Sequence, residues 1–188
     1  MDNMNTVLVA LMFVTILTMG IGNVLTTLAA IVHAGQTEGR DRLHISWIAL
    51  LLVAHLNLFW HAVDIIAIEN WKFSSFLLII TGPVIMFFAT NIMLAKGSSG
   101  DGIDPPSRYL NISKRFFTLF VLLQFWSIFV ELIFGDGIVV TLLFEVAFIT
   151  LALILLVSQS YRVHATGAAV AWVIYLTMFT LRSTEIIV

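Results

Sequence analysis

Apolar residues run through this chain in six blocks, about 5–32, 44–68, 73–95, 112–134, 138–161 and 164–187, separated by short polar segments. Each block exceeds the ~20 residues that an α-helix needs to cross ~30 Å of hydrocarbon at ~1.5 Å per residue. The pattern predicts an all-α, polytopic integral membrane protein, with six transmembrane helices in one bundle and residues 1–188 forming a single domain. The segments between the blocks carry turn chemistry. Residues 35–42 (GQTEGRDR) form a short polar loop, and Glu69 to Lys72 form a tight turn. Trp71 in that turn suits an interfacial aromatic belt. Residues 96–106 (KGSSGDGIDPP) make the longest surface loop and split the chain into near halves, and Gly135-Asp136-Gly137 is a minimal turn.

Polar residues inside the blocks are the informative ones. The second block holds His55, Asn57, His61 and Asp64. At ~100° per residue, Ser46, Asn57, His61 and Asp64 share one stripe, and His55 points the opposite way. An ionisable residue within a span is costly and marks a functional site by default. In the first block Thr15, Gly22 and Thr26 share a face, with Gly20 and Asn23 nearby. Small residues there predict a helix-packing face. In the third block Gly82-Pro83 predicts a bend, since proline removes a backbone donor. Both a cavity-lining break and an ordinary kink fit it.

A weak internal repeat links the second and third spans to the fourth and fifth. An offset of 67 residues lays Ser46 on Ser113, Asn57 on Gln124, Asp64 on Glu131 and Glu69 on Asp136. The fourth span then shows its own stripe of Ser113, Gln124, Ser127 and Glu131. Parallel repeats of this kind are compatible with transporter architecture.

Composition sharpens the class. The chain is 60% hydrophobic and only 11% charged, with mean hydropathy +1.04, against about 25% charged residues in soluble domains. A net charge of −2 gives no basic patch for nucleic acid. With no cysteine, disulfides and thiolate metal sites are excluded. The first five residues lack positive charge, and the apolar run after them outlasts the ~7–15 residues of a signal core. It reads as a retained span. Seven basic residues (Arg40, Arg42, Lys96, Arg108, Lys114, Arg115, Arg162) fall on one side and two (Lys72, Arg182) on the other. The positive-inside rule then places both termini outside, in a bacterial inner membrane.

Candidate chemistry collects near the outer boundary. Asp64, Glu131 and Glu145 lie roughly 6–11 Å inside it, His61 one turn deeper, and Arg182 at a similar depth. Three carboxylates in apolar surroundings cannot all stay ionised and unpaired. Protons, a cation, water or Arg182 must balance them. The expected site is therefore Asn57, His61, Asp64, Gln124, Glu131 and Glu145. Asp64 and Glu145 take a proton or cation, Asn57 and Gln124 orient it, and Arg182 is the counter-ion. No catalytic residue is assigned. The leading reading is a small transporter or channel-like protein moving a proton, cation or small polar solute.

Two other readings stay open: a structural or accessory membrane subunit that binds a membrane partner through its lipid-facing surface, and a membrane-embedded metal enzyme; a homo-oligomer is a separate partner expectation. In the accessory reading His61 and Asp64 satisfy each other at i,i+3, and Asn57 and Gln124 are interhelical glue. No resident cofactor is expected. An oxygen-rich nest with one imidazole suits a divalent cation such as Mn²⁺ or Zn²⁺. Haem is disfavoured because only His55 and His61 fall inside spans, both on one helix. Retinal is disfavoured because no span holds an interior lysine. His33, His44 and His164 sit at cytoplasmic boundaries and read as wet interfacial residues.

Overall fold

The computed structural model describes residues 2–33, 42–60, 71–95, 105–134 and 139–185. Among these, every regular element is a helix: α1 (Asp2–His33), α2 (Arg42–Trp60), α3 (Phe73–Leu94), α4 (Pro105–Phe134), α5 (Val139–Val157) and α6 (Tyr161–Glu185). The five helices other than α5 contain stretches long and apolar enough to cross a membrane. α5 has 19 residues, or about 28 Å, close to the ~30 Å of a hydrocarbon core. The chain is thus an all-α polytopic membrane protein. α4 starts at Pro105 rather than near 112 because proline suits the first helical turn, where its missing N–H and fixed φ cost nothing.

The helices form a ring. α1 lies between α2 and α3; α3 packs along α4, α4 along α5, α5 against α6, and α6 returns to α2. Side-chain bonds fix the directions. Trp71 Nε1 donates to Thr6 Oγ1 (3.0 Å), placing the start of α3 beside the start of α1. His44 Nε2 bonds the Met93 carbonyl (2.7 Å), placing the start of α2 beside the end of α3. α4 and α5 lie against each other along their length, whereas α1 stands between α2 and α3. The helix pairs related by the 67-residue offset therefore pack differently.

The middle of the ring is filled with aromatic rings. Trp47 meets Phe117 edge-on with centroids 5.1 Å apart. Phe116 packs on Phe117 (5.0 Å), Phe120 meets Phe148 (6.0 Å), and Phe148 meets Tyr175 (4.7 Å). A cavity among these rings, between α2, α4, α5 and α6, is about 10 Å³, at the lower limit for one water. The outer surface is apolar (Leu8, Leu11, Phe88, Phe125, Leu143, Val173), as a helix bundle solvated by lipid requires.

Close helix approaches rest on glycines. A Cβ on Gly20 of α1 would run into the His55 imidazole of α2. One on Gly82 of α3 would run into the Trp126 indole of α4, and one on Gly167 of α6 into Leu155 of α5. Both Gly82 and Pro83 are buried within a continuous α3. The Gly82-Pro83 break is thus a packing seat. Trp126 Nε1 donates to the Leu78 carbonyl (2.5 Å), next to the carbonyl that Pro83 leaves without its helical donor.

Candidate functional site

Glu145 lies six residues into α5 and Ser127 seven residues before the end of α4, each ~10 Å from the shared end of the two helices. α4 and α5 run antiparallel, so the two side chains meet, and Ser127 Oγ donates to Glu145 Oε1. Glu145 is only 7% exposed. It leads the buried face of α5, followed by Phe148, Ala152 and Leu155 at helical spacing. The carboxylate therefore stands one turn from Phe148, at the edge of the aromatic seal. An ionised acid at the centre of a membrane span costs ~2.5–3.5 kcal/mol on an insertion scale. A hydrogen bond to a charged group returns about 1.5–3 kcal/mol. A carboxyl group held this way can gain and lose a proton, or accept a cation, without leaving its place.

The other expected site residues fall as follows. Gln124 and Glu131 share the α4 stripe with Ser127, within ~60° of arc, and both are half-buried. Asn57, near the end of α2, is half-buried as well. His61, Asp64 and the side chain of Arg182 lie outside the described residues.

The structure also finds buried histidines that the spacing of polar residues did not. His55, opposite the α2 stripe, is 0% exposed. Its Nδ1 donates to the Leu51 carbonyl (2.8 Å), and its Nε2 faces Thr90 Oγ1 of α3 (3.4 Å). His44 and His164, expected to be wet, are 2% and 0% exposed. Each serves a helix end. His44 Nε2 reaches Met93 in the last turn of α3, and His164 Nε2 reaches the Ser158 carbonyl just beyond α5 (3.1 Å). The last carbonyls of a helix lack internal donors, and a buried imidazole N–H supplies one.

A carbonyl only accepts, so Nε2 carries the proton in neutral His164, and Nδ1 accepts from the Tyr109 hydroxyl (2.9 Å). A histidine opening one helix beside the end of another was the available signal. Among the described residues no group of three or more His, Asp or Glu side chains is placed to hold a metal ion.

No family model matches the chain, and no curated protein or solved structure matches it.

Proposed function

We propose that this protein is a small transporter that moves a proton or small cation through a site centred on Glu145. The observation that carries this reading is the buried Glu145 carboxylate, held by Ser127 across the α4–α5 interface. Glu145 takes the ion, Ser127 orients it, and Gln124, Glu131 and Asn57 supply polar groups along the entry. His61 and Asp64 belong to the same site, with Arg182 as counter-ion. The distribution of basic residues supports an inner-membrane location with both termini outside. The aromatic seal at Phe120, Phe148 and Tyr175 excludes a standing water column, so passage requires those rings to move.

Reconstitution into liposomes holding a pH-sensitive dye tests the proposal, with parallel assays for Na⁺, K⁺ and Mn²⁺. Flux of one of these ions is expected, together with its loss in Glu145→Gln at unchanged helical content. Full flux in that variant, or none in the wild-type protein, overturns it. The closed aromatic centre favours one second reading, an accessory subunit without flux. That reading requires a partner at fixed stoichiometry in mild detergent extracts.

A further inference from the structure

We propose that two copies of this chain associate in the membrane through the outer face of α1. The face that α1 turns inward carries Thr6, Val9, Phe13, Leu17, Gly20 and Val24, all buried. Thr15, Met19, Gly22, Asn23, Thr26 and Ala30 are all exposed and lie within ~100° of arc on the side away from the bundle. The packing face expected for Thr15, Gly22 and Thr26 thus points out of the ring. A Cβ added at Gly22 meets nothing within 4 Å, so no contact among the described residues calls for glycine there.

Asn23 supplies the chemistry. α1 has 32 residues, so with the helix centred in a ~30 Å core the Asn23 amide sits ~7 Å inside the hydrocarbon boundary. Lipid tails offer that amide no partner, and it makes no hydrogen bond among the described residues. Its neighbours behave differently. Thr15 and Thr18 return their hydroxyls to Leu11 and Val14 carbonyls (2.7 Å each). The exposed Asn91 of α3 returns its amide to Phe87 (2.8 Å).

A polar group kept in lipid implies a helix that satisfies it. A carboxamide is its own complement, with one N–H and one C=O available to each copy across a two-fold axis, the commonest symmetry of homo-oligomers. Gly22, Thr26 and Ala30 recur every fourth residue beside it, the small-residue spacing that lets two membrane helices approach closely. The occupant is therefore α1 of a second copy.

The cysteine-free chain allows a direct test. Single variants Gly22→Cys, Thr26→Cys and Leu25→Cys are oxidised in native membranes and in liposomes of the purified protein. Leu25 is 50% exposed but lies on the other flank of α1. A disulfide needs Cα atoms about 4.4–6.8 Å apart. Covalent dimers are therefore expected at Gly22 and Thr26 and not at Leu25. Gly22→Leu is expected to keep helicity and melting behaviour while turning a dimer into a monomer in fluorescence-transfer measurements. Asn23→Leu is expected to weaken dimerisation roughly 3–30-fold, the range for one interhelical hydrogen bond. Equal cross-linking at Leu25, a wild-type monomer in liposomes, or cross-linking only to a different protein overturns the proposal.

Discussion

Gly20→Ala is the sharpest perturbation of the bundle. A methyl group at Gly20 lies 3.0 Å from His55 Cδ2 and 3.4 Å from Cε1, and closer still to Nε2. Non-bonded carbons prefer ~3.5–4.0 Å, so α1 and the imidazole must separate by about 1 Å. His55 has nowhere to go. It is fully buried, its Nδ1 is tied to Leu51, and Thr90 lies beyond its Nε2. Overpacking of this kind costs about 1–3 kcal/mol. At roughly 2–4 °C per kcal/mol for a chain of this size, the melting midpoint in detergent falls by about 2–12 °C.

A double-mutant cycle isolates the cause. His55→Ala alone removes packing and destabilises, but Gly20→Ala/His55→Ala falls short of the sum by at least ~1 kcal/mol, because the added methyl occupies the vacated space. An unchanged midpoint in Gly20→Ala, or strict additivity in the cycle, refutes the reasoning. Gly22→Ala, two residues along with open space around it, is the internal control.

Two further changes probe other contacts. Gly82→Ala drives a methyl into the Trp126 indole and is expected to cost about 1–3 kcal/mol, with partial recovery on adding Trp126→Leu, read by thermal melting. Tyr109→Phe leaves the buried His164 Nδ1 without its donor; a loss of about 1–3 kcal/mol is expected. Adding His164→Phe is expected to cost less than its effect in the wild-type background, and full additivity counts against the assigned bond.

The six helices among the described residues were legible because bilayer thickness dictates block length, and lipid admits few alternatives to a helix. Which face of each helix is buried was not. Lipid tails are as apolar as a packed core, so Leu8 and Leu11 outside read like Phe13 and Leu17 inside. The small residues of α1 were expected to face a helix, and Gly20 does, while Gly22 turns outward. In the middle of α2 the buried imidazole is His55, which the polar stripe excluded, because its neighbours on α1 and α3 are far away in sequence. Glu145 was conspicuous as a carboxylate in an apolar run. Its pairing with Ser127 depends on the register between α4 and α5, and spacing within one helix carries no such information. His44 and His164 were misread because depth alone does not reveal the carbonyls they serve.

The three glycine seats join α1 to α2, α3 to α4 and α5 to α6, each time a pair of consecutive helices. A chain emerging from the ribosome can therefore finish each hairpin as soon as its second helix is made, with no distant segment needed. Contacts of short sequence separation form early. Closing the ring is a different event. Trp172 Nε1 donates to Ser46 Oγ across 126 residues (3.0 Å), so α2 waits for the last helix. A nascent chain stopped before α6 holds two finished hairpins and an α5 packed on α4, and the gap between α5 and α2 still lies open to lipid.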